Sequence, residues 1–284
     1  MKYEIGNLKL KNRFLLAPMM EPNDIAFRIL CEKAGCGLTY TGMTSPLSKK
    51  KINLEDRPAI QIFANSTEGI KSFIEKYDRK VKLWDLNLGC PSDISKKFAH
   101  GAFLKDVSKI ENIIKVMRKS TKKPITIKLR KTKDSLKIAK IAEKYVDAIA
   151  IHPRTISQGY SGNPDYKLAL KIKKLVSIPV IYSGNVNEKN VKDILKDFDF
   201  VFIGREAIGD CNIFSRITRI NLNLNFDDYL KIAKENNLPF RQIKYQAMNF
   251  TKGLKNAKKI RKRIVGIKNI EEFEDKQIKT LFSL

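Results

Sequence analysis

The chain has 284 residues, 43% of them hydrophobic and 30% charged, a balance that supports a sizeable core and argues against disorder. Its length suits one barrel-sized domain with a small appendage, or two medium domains. Fifty-six Lys and Arg against thirty Asp and Glu give a formal charge of +26, which points to a polyanionic partner, although a lysine-rich proteome gives the same composition.

In chain order, short β-like runs are predicted at Phe14–Met19, Leu38–Met43, Ala59–Ala64, Leu83–Gly89, Ile125–Arg130, Ala148–Arg154, Pro179–Gly184 and Phe200–Gly204. Amphipathic stretches lie between several of them, including Ile110–Lys119, Ser135–Tyr145 and Glu188–Lys196. Nearly continuous apolar strands with intervening helices imply a parallel sheet covered by helices. Eight such units in some two hundred residues match a (β/α)8 TIM barrel, and no GxGxxG marks the first turn as a dinucleotide fold would require. Residues 1–224 are therefore expected to form the barrel domain. After Asn225 the strand signal stops, and helices are predicted at Asp227–Glu235, Arg241–Thr251 and Glu271–Leu281, a small helical domain over 225–284.

Polar residues fall just after the strands: Pro18 and Met19, Gln61, Asn87 and Cys90, Lys128 and Arg130, His152 and Arg154, Gly184 and Asn185, Gly204 and Arg205. In a barrel these ends converge on one face, so separate segments collapse into one pocket. Within Asp85-Leu86-Asn87-Leu88-Gly89-Cys90-Pro91-Ser92-Asp93, a thiol sits at the mouth of an apolar strand beside an amide and a chain-stiffening proline. Alone, such a cysteine reads as a half-buried turn residue; its company makes it a catalytic candidate.

Cys31, Cys36 and Cys211 form no disulfide-like framework with it and read as core or loop residues of a protein in a reducing cytosol. With only His100 and His152 and no pairing at zinc spacing, no metal is expected. No signal-like or membrane-spanning run is present, so a soluble cytoplasmic protein is expected, and as a monomer. Between Arg241 and Lys268 stand ten Lys or Arg and no acid, densest over Lys252, Lys255, Lys258, Lys259, Arg261, Lys262 and Arg263. A solvated helix face usually mixes signs. This single-signed face is read as an RNA-binding surface.

The ordered residues from Leu15 to Phe214 resemble the tRNA-dihydrouridine synthases. The resemblance rests on Ala17-Pro18-Met19, Asn23-Asp24-Ile25-Ala26-Phe27-Arg28, Gln61-Ile62, Asn87 to Asp93 with Gly101, and Lys128-Leu129-Arg130. It continues through His152-Pro153-Arg154-Thr155, Tyr160-Ser161-Gly162, Ser183-Gly184-Asn185-Val186 and Ile203-Gly204-Arg205. It implies an FMN enzyme in which NADPH reduces the flavin, a uracil of tRNA receives hydride at carbon 6, and Cys90 gives the proton to carbon 5. Pro18 and Met19 would lie against the flavin. Gln61, Lys128 and His152 would bond to its ring system, and Gly184, Asn185, Gly204 and Arg205 to its phosphate. Asn87, Arg154 and Lys97 would contact the flipped-out base or its surroundings. The sequence departs from the family at Asn23, where Thr is usual, and at Gly209-Asp210-Cys211-Asn212.

Two other readings share parts of this pattern. A small-molecule FMN-barrel oxidoreductase of the dihydroorotate dehydrogenase type has the same barrel, lysine and phosphate loops, but no use for a basic helical tail. A non-catalytic RNA-binding barrel explains the charge but not the grouping of Gln61, Lys128, His152 and Arg205 with a thiol.

Overall fold

A computed structural model describes residues 3–274. The chain opens with an antiparallel hairpin, β1 (Tyr3–Ile5) and β2 (Leu8–Leu10), that the strand pattern did not predict. The barrel then runs β3 (Phe14–Leu16), α1 (Ile25–Lys33), β4 (Ala59–Ile62), α2 (Ile70–Tyr77), β5 (Leu83–Leu88), α3 (Asp93–Lys97) and α4 (Val107–Ser120). It continues with β6 (Ile125–Arg130), α5 (Ser135–Ala142), β7 (Ala148–His152), α6 (Tyr166–Leu175), β8 (Val180–Ser183), α7 (Val191–Asp197) and β9 (Phe200–Ile203). The seven strands β3 to β9 are parallel, in the spatial order β3-β9-β8-β7-β6-β5-β4. Several predicted runs extend one to three residues past the strand ends, because their last residues belong to the loops that build the site.

The eighth place in the barrel is filled by an irregular segment rather than by the regular strand expected over Leu38–Met43. Leu38, Tyr40 and Thr44 make isolated parallel bridges to Leu15, Ala59 and Ile62. The reason lies at Thr41, whose hydroxyl takes the place of a backbone carbonyl and accepts the Gln61 N–H at 3.2 Å. The ladder resumes only at Thr44, whose N–H donates to the Gln61 carbonyl at 2.9 Å. One residue is therefore extra on this edge, as in a β-bulge. Gly42 sits at the bulge, where a Cβ would stand 2.6 Å from the Met19 carbonyl oxygen. The barrel is closed all the same, since Leu38 also accepts from Leu16 N–H at 3.0 Å.

Side chains along a strand alternate between faces. Outward residues such as Ile60, Trp84, Leu86, Ile127, Ile149 and Val201 join the helices in one large core. Inward residues form a second, smaller core of Leu15, Leu38, Tyr40, Ala59, Leu83, Ala148, Ala150, Ile181, Phe200 and Phe202, with Ile5 of the hairpin packed into it. The inward columns change character along their length. Leu83 gives way to Asp85 and Asn87, Ala150 to His152, and Ala59 to Gln61, so the barrel is apolar at its amino end and polar at its carboxyl end.

Beyond the barrel lie α8 (Ile213–Thr218), α9 (Phe226–Glu235), α10 (Phe240–Asn249) and α11 (Ala257–Gly266). An Asn225–Asp228 capping box starts α9, which packs against α1, and Phe226, Tyr229, Phe250 and Phe273 stack around it. Gln246 of α10, fully buried, donates to Asp24, the N-cap of α1, at 2.8 Å. Asn249 closes on Gly209, where a Cβ would stand 2.0 Å from the Asn249 carbonyl oxygen. Of the helix expected over Glu271–Leu281, Glu271–Glu274 is a 3-10 turn and the rest lies outside the described residues. Among the described residues no helix is long and apolar enough to cross a membrane, and no cluster of His, Cys, Asp or Glu is placed to hold a metal. Cys31, Cys36 and Cys211 are buried in the large core, and burial pushes the Cys36 and Cys211 thiols up to about 12.

Candidate active site

A cavity opens at the carboxyl ends of the strands. Ala17, Pro18 and Met19 line it after β3, Lys128 on β6, His152 on β7, Ser183, Gly184 and Asn185 after β8, and Phe202, Gly204 and Arg205 after β9. Of the nine residues expected around a cofactor, eight line this cavity. Gln61 does not: it is buried one layer below the loops.

The reason is a buried chain of hydrogen bonds under the Cys90 loop. Asp85, fully buried, accepts from Thr126 Oγ1 at 2.5 Å and from Gln61 Nε2 at 2.6 Å. Gln61 Oε1 in turn accepts from Asn87 Nδ2 at 2.7 Å. Asn87 Oδ1 then accepts the N–H groups of Gly89 and Cys90 at 3.1 and 2.9 Å. Both amides are thereby oriented, and the turn that carries Cys90 is tied to a carboxylate two strand positions below. Asn87 holds this turn with both ends of its side chain, a duty that the sequence reading did not include.

Cys90 itself is partly exposed, and its thiol donates to Ser92 Oγ at 3.3 Å. Ser92 is also the N-cap of α3. Gly101 fits against Cys90 because it has no side chain: a Cβ there would stand 2.9 Å from the Cys90 carbonyl oxygen and 3.1 Å from its Cβ. Arg130, 2% exposed, braces the same turn, donating to the Gly89 carbonyl at 2.8 Å and to the Thr155 and Gly159 carbonyls at 2.8 and 3.1 Å.

Charge is distributed unevenly in this small volume. Burial lowers Lys128 to about 8, with Asp85 acting in the opposite sense and supporting its charge. Burial likewise raises Asp85 to about 6, against the pull of its hydrogen bonds and of Lys128. Among the described residues the Lys128 ammonium has no hydrogen-bond or ion-pair partner, and it faces the cavity. His152 is pushed down to about 2, first by burial and then by Lys128, Arg130, Arg154 and Arg205. It is neutral at working pH. Its Nε2 stands 3.1 Å from Arg154 Nη1, and a guanidinium can only donate, so Nε2 accepts and the ring proton lies on Nδ1.

Two of the expected contact residues have partners within the protein. Arg154 is fully buried, and its other donors go to the Ser161 and Gly162 carbonyls at 3.1 and 2.7 Å. It holds the loop over 155–163 and orients His152. Lys252, expected on the RNA surface, reaches back to the barrel, with its Nζ 3.3 Å from the Arg205 carbonyl and 3.7 Å from the Glu206 carboxylate.

The far end of the cavity suits an anion. Gly184 and Asn185 both have positive φ (139° and 51°), which turns the loop after β8 across the opening. Arg205 donates to Asn185 Oδ1 at 3.0 Å, and its guanidinium lies 4.9 Å from the ring centroid of the exposed Tyr160. Loops after the last two strands are the usual phosphate site of such barrels.

On α11, Lys258, Lys259, Lys262 and Arg263 are exposed without an ion-pair partner among the described residues, as is Lys255 just before it. Arg261 is exposed but donates to Thr251 Oγ1 at 2.7 Å. Lys97 is exposed on α3, its Nζ 5.6 Å from the ring centroid of Phe98. Thr126 was not singled out in the sequence, and Asp85 and Ser92 stood in the Cys90 segment without a role of their own. The inward register of Asp85, two residues before Asn87, was the signal that could have found it.

Residues 15–280 match the family model described as Dihydrouridine synthase (Dus). The tRNA-dihydrouridine synthase B of Pasteurella multocida is 32% identical over 232 residues, 74% of this chain and 70% of that protein. That of Vibrio vulnificus is 31% identical over 236 residues, covering 75% and 73%. Among solved structures, the old yellow enzyme homologue from Zymomonas mobilis shares the fold with a TM-score of 0.59 at 11% identity, over 80% of this chain and 95% of that one.

Proposed function

Because the chain belongs to the dihydrouridine synthase family, we propose that it reduces specific uridines of tRNA to 5,6-dihydrouridine, with FMN as its cofactor and NADPH as reductant. The observation that carries this reading is a single cavity that pairs the unpartnered Lys128 ammonium and the His152 Nδ1–H with an anion-binding end at Gly184, Asn185 and Arg205. That donor set fits an FMN: an apolar wall at Ala17, Pro18 and Met19 for the ring, cationic and N–H donors for its polar edge, and a turn plus guanidinium for its phosphate. Bound there, the flavin would supply hydride to carbon 6 of the uracil.

The protein's own residues do the rest. Cys90 gives the proton from Sγ to carbon 5, and the Ser92 hydroxyl holds that thiol by its S–H. The chain from Asp85 through Gln61 and Asn87 keeps the Cys90 turn in place. Lys128 keeps a positive charge beside the cofactor, supported by Asp85. The exposed cations from Lys255 to Arg263 grip the tRNA backbone, so the barrel over 1–224 carries the chemistry and the segment from residue 225 onward carries much of the RNA affinity. A tRNA substrate places the protein in the cytoplasm.

The test is anaerobic. The reduced protein is mixed with tRNA lacking dihydrouridine, and flavin reoxidation is followed with analysis of the digested tRNA. Reoxidation with dihydrouridine formation is expected. Cys90→Ala should keep NADPH oxidation near normal while uracil reduction falls by about 10²- to 10⁴-fold. Reoxidation by orotate but not by tRNA would sink the reading in favour of a small-molecule oxidoreductase.

A further inference from the structure

A second pocket, of about 420 Å³, lies between the loop after β4, the segment around Pro46, and α3. That is within the usual size of small-ligand sites, roughly 300 to 1,000 Å³. Leu47, Ile94 and Phe98 line it and are 58%, 53% and 53% exposed, three large apolar side chains gathered at one pocket. His100 lines it as well, 1% exposed and in contact with Phe63, the ring centroids 4.2 Å apart and the planes tilted by 37°. Neither nitrogen of His100 has a hydrogen-bond partner among the described residues. Buried polar groups are otherwise paired. Burial lowers the imidazole's affinity for a second proton, so the ring presents one donor and one acceptor.

An exposed aromatic ring at Phe98, beside an imidazole with a donor and an acceptor to offer, suits the face and edge of a nucleobase. The adjoining chain favours a polyanion: Lys96 and Lys97, between Ile94 and Phe98 on α3, and Lys49, two residues after Leu47, are exposed with no carboxylate within ion-pair distance among the described residues, and Glu68 is the one acid in the lining. Gly101, the residue after His100, packs directly on Cys90.

We propose that this pocket captures an unstacked base of the RNA substrate, on a nucleotide other than the one reduced, and so holds the strand beside the Cys90 loop. The proposal rests on the reading of the chain as an enzyme acting on tRNA. Phe98→Ala removes the exposed ring and leaves its backbone carbonyl, which accepts from Asn65 at 2.9 Å, in place. With the full-length protein and an unmodified tRNA transcript, this variant should raise the KM for tRNA and the tRNA Kd by roughly tenfold. Flavin reduction by NADPH should be unchanged, and Phe98→Trp should restore both constants. Unchanged tRNA constants would overturn the proposal, and a higher KM for NADPH alone would overturn it by assigning the pocket to the reductant. If the wild type reduces no tRNA, the functional reading fails separately, while the tRNA Kd of the two proteins still decides on the pocket.

Discussion

At the barrel mouth, Arg130 and Arg154 are 2% and 0% exposed, and their guanidinium groups are committed to the carbonyls of two loops and to His152. On α11, Lys258, Lys262 and Arg263 face water with no carboxylate in ion-pair range among the described residues. Both regions are cationic, and the charge does different work in each. Inside, the useful property is a rigid fork of donors that satisfies backbone oxygens sealed from water. Outside, it is long-range attraction to phosphate, which needs no fixed geometry and fades with salt. Lys128 stands between the two cases: it lies inside, yet among the described residues it has no hydrogen-bond or ion-pair partner, and its charge is supported chiefly by the field of Asp85.

Substitutions that keep shape and remove charge should separate these roles. The largest effect is expected at Arg130. Arg130→Met leaves the Gly89, Thr155 and Gly159 carbonyls without their donor, and should lower folding stability by about 3 kcal/mol in a denaturant titration. An unchanged midpoint would mean that water replaces the guanidinium at no cost.

The next effect belongs to the surface. Lys258→Glu with Lys262→Glu, one turn apart on α11, should weaken tRNA binding by about tenfold or more and reduce the slope of log K against log salt by about 2. Stability should move by no more than about 0.5 kcal/mol. A salt slope equal to the wild type's would remove α11 from the RNA interface.

The smallest effect has the opposite sign. Burial disfavours the charge of Lys128 and pushes its pKa down to about 8 in the folded protein, from the ordinary lysine value of 10.5. Between those values the unfolded chain binds the extra proton, so stability rises with pH across that window and the penalty is fully present below it. Lys128→Met should therefore gain on the order of 1 kcal/mol at pH 7, lose the rise between about pH 8 and 10, and bind flavin poorly. Thermal melts across pH would show it; a variant less stable than wild type at pH 7 would mean that Asp85 depends on the ammonium more than the ammonium suffers from burial.

Much of the site was legible before any coordinates, because a parallel barrel collects whatever follows its strands at one face. Pro18, Met19, Lys128, His152, Gly184, Asn185, Gly204 and Arg205 needed only the strand ends to be placed together. The bulge at Gly42 was hidden, since it depends on a threonine hydroxyl competing with a backbone carbonyl for the Gln61 N–H. The partners of Arg154 and Lys252 were hidden for a similar reason. Charge and spacing show that a cation is present, but not whether a neighbouring loop has already claimed it.

By itself, then, the sequence determined the alternation of strands and helices, the face on which polar residues gather, the thiol among them and the basic tail. All of these depend on local periodicity or on composition. Tertiary structure decided which donors remain free. Gln61, Asp85 and Asn87 lie on two strands and bond across 24 and 26 residues, and Arg130 reaches Gly89 across 41. Such pairings exist only once the barrel has closed, when burial makes every unpaired polar atom costly and the nearest partner, however distant in sequence, takes it up.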